Sequence, residues 1–552
     1  MKKIYNYYSS WGKYAQEEEA NRFLSCEEED LLKICECIDL NHRKKQHVTG
    51  SVPIHYDKKS KKLYVLSGDG HCDISAETGS KKSRTLARGS IISSVLSGNS
   101  FCCIDPKGEL SSDNKILNFM KEKKYKMHVL DFRTFDKDRF NIFGHMIRNA
   151  KKGNMDKAMD GCSRFCGIIS EWKESKDDFW NDTAVMLITT AMQILLQALS
   201  QIEGGLDTYF HLATLRNYIT KDCDVLIDIC DRILNDIEKE PFYNPVRCYK
   251  SVLMNPDKTY SCIVSSAEAL LRSFGMSEST CRMLSEDTFQ IEDFYETPSG
   301  LFVVVPDEVS AYDEVTGYLF DIMYQILVDV YTERYQNKRK APCNIQFICD
   351  ELASIRINDM SSKVSASRSR QIYWNLIYQS EKQMEKAYKE DFGTIQGNCR
   401  HHVFLGSSDY EILKRVAEKT GDKVTVDQLR GMKKERFYKE ALVMSGNYLY
   451  CAQLPDYDAY DFLEPGTAKL WKKPKKRKEI QVYMPMRLYS DYCAGEIGFF
   501  GKKRKKEVAS HNIDKDRKYI QDEISKTFNE LFGPVDVSLT MDSWPGEEDD
   551  DE

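Results

Sequence analysis

The sequence contains no run of the ~20 predominantly apolar residues that a membrane-spanning helix needs. Its longest apolar stretch, Thr183–Leu199, is broken by threonines and glutamines and reads as a helix buried in a soluble core. The N-terminus, MKKIYNYYSSWGKY, lacks the apolar segment of a secretory leader, which points to the cytoplasm. A basic excess is missing too. The net charge is −7, mostly from the six acids Glu547–Glu552, so any nucleic-acid contact must come from local patches. The 18 cysteines lie scattered in apolar segments, and neither Cys35-x-Cys37 nor Cys162-x3-Cys166 has a second pair at zinc spacing. Reduced thiols are expected, and a structural metal is not. No internal repeat is visible.

What is present is a chain of 552 residues, long enough for about two to four domains. Residues 1–49 are charged and read as a helical arm. Residues 50–150 alternate short strands (Leu63–Leu66, His71–Ser75, Phe101–Ile104, Met127–Leu130) with helices starting near Lys82 and Asn114. That is the spacing of a mostly parallel, doubly wound sheet. Residues 151–294 are helical throughout. Strands resume in 295–465 at Leu301–Val305, Ile345–Cys349, Ile372–Ile377 and His402–Leu405. The class is therefore α/β, one sheet in two halves with an all-α domain inserted between them. Residues 466–552 form an extension with basic runs at Lys472–Lys478 and Lys502–Lys506, a helix near Asp516–Leu531 and the acidic tail. The basic runs suit phosphate backbones or a solvated linker equally well.

Three segments carry chemistry. AETGSKKS, Ala76–Ser83, follows a strand and fits the phosphate-loop frame G-x-x-x-x-G-K-[ST] at Lys82 and Ser83, but Ala76 and Lys81 replace both framing glycines. Alone it reads as a basic helix start. FCCIDPKGEL, Phe101–Leu110, is a buried strand ending in Asp105-Pro106-Lys107-Gly108-Glu109, charged where open α/β sheets bind ligands. IQFICDELAS, Ile345–Ser354, ends a buried strand in Asp350-Glu351, suited to Mg²⁺ and to general-base activation of water. Arg368 and Arg370 in SASRSRQIYW read as surface arginines or as residues that complete a neighbouring subunit's site, and Gln379 as a strand cap or as the group that orients the attacking water. The whole reading requires Lys82–Ser83 and Asp350–Glu351 to meet at adjacent strand tips of one sheet.

Taken together these segments resemble the TraG/TraD family, the type IV coupling proteins of conjugation, over roughly Pro53 to Gly421. The likeness also runs through VLDFRTFDKDRFNIF, DFWNDTAVMLI, NPDKTYSCIVSSAEALLRSF, LFVVVPDE, SRSRQIYWNLIYQS and NCRHHVFLGSSDYEILKRVAEKTG, in consistent order. It looks closest to coupling proteins of Gram-positive integrative elements. The resemblance implies a RecA-like P-loop NTPase core bearing an all-α domain, assembled as a hexamer. Such rings use ATP and Mg²⁺ to move single-stranded DNA with its relaxase towards the membrane proteins of a type IV secretion channel. It places Thr78, Gly79, Ser80, Lys82, Ser83, Arg84, Asp105 and Lys107 around the nucleotide and Ser83 and Asp350 on the metal. Glu351 becomes the base, Arg368 the arginine finger and Gln379 the sensor. Two departures stand out: the lost glycines, which work against tight ATP binding and turnover, and the missing N-terminal membrane helices, which call for a partner at the inner face of the membrane. A pseudo-ATPase docking module, or a cytosolic HerA/FtsK-like translocase, are the alternatives.

Overall fold

The computed structural model describes residues 32–42, 46, 48–68, 70–171, 178–220, 223–237, 243–306, 308–336, 340–466, 480–500 and 502–503. The Lys472–Lys478 run, the Asp516–Leu531 helix, the acidic tail and most of the N-terminal arm lie outside these residues.

Three strands form a small antiparallel sheet: β1 (Cys35–Asp39), β2 (Pro53–Asp57) and β3 (Lys62–Leu66), with β3 central. Two expectations change here. The end of the supposed helical arm is strand β1, and Leu63–Leu66 belongs to this small sheet. The acid-rich EEED ahead of β1 suggests a helix, but ladder pairing of Cys35–Asp39 with Lys62–Leu66 overrides that local preference. The Glu36 carboxylate reinforces the strand by accepting hydrogen bonds from the amides of Thr49, Gly50 and Gly68.

The main sheet has nine strands: β4 (His71–Ser75), β5 (Ser100–Asp105), β6 (Lys126–Asp131), β7 (Ser299–Val304), β8 (Ile345–Cys349), β9 (Ile372–Tyr378), β10 (Cys399–Phe404), β11 (Tyr438–Ser445) and β12 (Tyr448–Pro455). Their order is β12-β11-β10-β4-β9-β8-β5-β7-β6. All neighbours from β10 to β6 are parallel, and β11–β12 adds an antiparallel hairpin at one edge. The central strands β5, β7, β8 and β9 are buried along their whole length, because both faces of the sheet are covered. The hairpin was not anticipated: Lys439 and Glu440, both buried, break the apolar pattern of β11.

One face packs on β1–β3 and on the helix Arg88–Ser97. That helix buries four serines, and Ser93, Ser94 and Ser97 each return their hydroxyl to the carbonyl four residues earlier, which makes their burial tolerable. Gly89 lets it approach β2: a Cβ there would sit 2.6 Å from the Pro53 ring. The other face shares one continuous core with the helices between β6 and β7. At their centre is Asp178–Leu199, which corrects one expectation: its threonines and glutamines notwithstanding, it is by length and composition apolar and long enough to cross a membrane, the one such helix among the described residues; 83% of that apolar window is packed inside, as expected of a core helix. An apolar helix of this kind forms because neighbours cover it on every side. The chain then returns from the sheet to cover these helices. Pro485–Cys493 lies along Cys223–Asp236, Gln481 accepts from His211, and the Gly498 carbonyl accepts from Gln201. Residues 480–500 are therefore an integral layer of the helical region, where an irregular extension was expected.

Candidate functional site

A cleft of about 580 Å³ opens at the C-terminal tips of β4, β9, β8 and β5. Lys82 reaches across it to form ion pairs with Glu351 and, at 3.3 Å, with Asp350. Ser83 Oγ donates to Asp350 Oδ2 at 3.2 Å. The two sequence pairs therefore meet, though not at adjacent strands: β9 lies between β4 and β8. That insertion explains Gln379, which directly follows β9. Its amide nitrogen donates to both Glu351 oxygens (3.0 and 2.9 Å) and its carbonyl accepts from Thr78 Oγ1 (3.0 Å), tying the loop to the acids.

Backbone geometry separates the two missing glycines. Ala76 stays outside the left-handed region, so a side chain there is unstrained. The left-handed positions are Gly79 (φ +77°) and Lys81 (φ +69°). At Lys81 this conformation costs about 1–2 kcal/mol for an L-residue with a Cβ. Glu351 is held in the same region at φ +64°. Such outliers persist where surrounding contacts enforce them, commonly at functional sites. The helix that follows starts with a π-turn, Ser83–Ala87, another feature frequent at such sites.

The other expected residues distribute as follows. Arg84 lines the cleft and also pairs with Asp456 (2.6 Å) and Asp458 (2.9 Å). Lys107 is exposed on the opposite rim. Asp105 is buried, and its Oδ2 accepts from the amides of Leu110 (3.1 Å) and Ser111 (2.8 Å), which shapes the DPKGE turn. Arg368 is exposed in the turn Ser367–Arg370 before β9. That puts it at the N-terminal edge of the sheet, away from its own chain's cleft. Arg88, Ser354, Asp313 and Asp456 were not foreseen. Arg88 pairs with Asp113 (3.1 Å) and sits over the Tyr457 ring. Half-burial pushes the Asp313 carboxyl up to about 6.

The residues present fit a nucleotide phosphate and a divalent cation. Ser83, Asp105, Asp350 and Glu351 border a small void of about 60 Å³. Asp350 Oδ1 faces Lys82 but makes no hydrogen bond, and Ser80 Oγ in the loop is buried without one. Burial, with the Glu351 charge beside it, holds the Asp350 carboxyl above the usual range despite Lys82 and Ser83. A cation at this position would relieve that penalty.

A family model for conjugative DNA transfer by the type IV secretory system matches residues 35–441. The chain belongs to that family. It is a coupling protein of the TraG/TraD type, and its fold agrees. The bacterial conjugative coupling protein TrwB, in its unbound monoclinic form, superposes with a TM-score of 0.51 over 78% of this chain and 93% of that one, at 16% identity. TrwB bound to the ATP analogue ADPNP matches at 0.50 over 79% and 95%, again at 16% identity. At that identity the likeness shows a shared RecA-like α/β fold. No curated protein sequence matches the chain.

Proposed function

We propose that this coupling protein hydrolyses ATP to recruit and move single-stranded DNA with its relaxase into a type IV secretion channel. The observation that supports it best is the convergence of Lys82–Ser83 with Asp350–Glu351 in one cleft, with Gln379 bridging loop and acids. Lys82 would release Glu351 and take the β/γ-phosphates. Ser83 and Asp350 would hold Mg²⁺, which neutralises phosphate charge when bound. Glu351, once free of Lys82, would accept the proton of the attacking water, with Gln379 orienting both. The solved TrwB complex with ADPNP supports nucleotide occupancy of this fold. Arg368 cannot serve its own cleft, so it would act from a neighbouring copy, which favours a ring, hexameric by family resemblance. The channel's membrane proteins would hold that ring at the inner face of the membrane.

ATP turnover with and without single-stranded DNA tests this. Activity in the wild type that is lost in Lys82→Ala and Glu351→Gln supports it. Background turnover in all three, with DNA or relaxase still bound, leaves a docking module that does not hydrolyse.

A further inference from the structure

The phosphate loop carries a lysine at a left-handed position that suits glycine, and something must hold it there. Lys81 Nζ pairs with Asp456 Oδ2 at 2.9 Å and donates to the Glu435 carbonyl at 2.6 Å. Asp456 follows β12, is fully buried, and also takes the Arg84 guanidinium through both carboxylate oxygens. From the segment leading into β11, Lys434 donates to the Gly79 carbonyl. The loop Ala76–Lys81 is thus tied at both of its left-handed residues to segments flanking the β11–β12 hairpin, more than 350 residues later in sequence.

We infer that Asp456 is a positioning residue of the nucleotide site, replacing by an ion pair the conformational freedom that a glycine would supply at position 81. This rests on the reading of the cleft as a nucleotide site. The carboxylate does not line the cleft, whereas Lys82 and Ser83 do; it acts by fixing the Lys81 backbone, which sets the direction of the two side chains that follow. The Asp456 carboxyl is held below the usual range despite burial by its bonds to Arg84 and Lys81, so it stays charged at neutral pH. An altered loop of this kind is a locked cradle, with its second half supplied by the hairpin.

The test combines Asp456→Asn, Lys81→Gly and the double variant in the full chain. It uses two readouts: hydrogen–deuterium exchange of the Glu77–Ser83 amides, and affinity for mant-ADP with Mg²⁺. Asp456→Asn is expected to speed loop exchange and weaken mant-ADP by about tenfold, the equivalent of one charge-assisted hydrogen bond. Lys81→Gly alone should keep loop exchange near the wild-type rate, because glycine adopts the same φ unaided, and its mant-ADP affinity sets the reference for a loop without the Lys81 side chain. The decisive result is the double variant, which should return close to Lys81→Gly on both readouts. If it stays as impaired as Asp456→Asn, the carboxylate supports the hairpin and not the loop, and the inference falls. It falls equally if Asp456→Asn leaves loop exchange unchanged. Should Asp456→Asn fail to fold, Lys81→Met removes the same ion pair while the Arg84 pair remains, and must show the same loosened loop. A wild type that does not bind mant-ADP at all removes the nucleotide reading and the positioning role with it, whatever the exchange data show.

Discussion

Glu351 holds Lys82 in the cleft, and Gln379 holds Glu351. Nucleotide must therefore compete with an ion pair that is mostly shielded from water. Glu351→Gln removes the competing charge and the proposed base together. It should bind nucleotide several-fold more tightly while turnover drops by at least about a hundredfold, the scale of a lost general base. Equilibrium binding beside single-turnover kinetics reads both, and tighter binding with unchanged turnover would rule Glu351 out as the base. Asp350 and Glu351 could be named from residue type and position, whereas Lys82 and Ser83 could be named only when AETGSKKS was read together with the DPKGE and DE segments. Asp456 could not, because Asp-Tyr-Asp after a strand has no local mark of proximity to a loop near residue 80.

At the level of the element, β4 delivers the phosphate loop and is anchored at its start by His71. That ring accepts from the Trp374 amide at Nδ1 (3.1 Å) and donates from Nε2 to the Val364 carbonyl (2.8 Å). Both nitrogens are committed in the neutral form, and a proton on Nδ1 would face an N–H. Burial lowers the pKa to about 4, with the Arg368 charge adding to it and the Val364 carbonyl opposing. A depressed histidine binds its proton in the unfolded chain first. Its stabilising contribution is therefore complete above pH 6.5 and is lost as pH falls from there towards 4, by up to about 3 kcal/mol. His55 in β2, also lowered to about 4 by burial, adds to the same slope. Urea midpoints at pH 7.5, 5.5 and 4.5 should fall accordingly, and His71→Gln should flatten part of the decline. An unaltered slope in that variant would assign the acid sensitivity elsewhere. Strands β5, β7, β8 and β9 were legible because burial on both faces leaves continuous apolar runs. Strands β1 and β11 were not, since pairing partners and covered polar residues, rather than local pattern, define them.

For the whole molecule, two long-range arrangements matter. Residues 480–500 close the helical region, with Tyr483 fully buried against it and its hydroxyl donating to Asp491. Tyr483→Ala should lower stability by about 3–5 kcal/mol, the usual range for emptying an aromatic site. Thermal unfolding checks this, and a loss below about 1 kcal/mol, the size of a typical surface change, would mean the segment is a loose appendage. Arg368 sits on the opposite edge of the sheet from the cleft, so one chain cannot use both. Arg368→Ala should keep nucleotide affinity and lose turnover. Mixing it with Lys82→Ala should restore part of the activity, because mixed assemblies regain interfaces with an intact cleft facing an intact arginine. No recovery in the mixture would argue against sharing of sites between subunits.

The sequence alone determined the α/β class, the helical block between two half-sheets, the family and the lysine, serine and acid pairs. These depend on periodicity and on short contiguous motifs, which survive in one dimension. The tertiary structure decided that β9 separates the loop strand from the acid strand, that Gln379 bridges them, and that a distant hairpin locks Lys81. Most of those are contacts between residues hundreds of positions apart, set by strand order in the sheet, and no local pattern encodes that order.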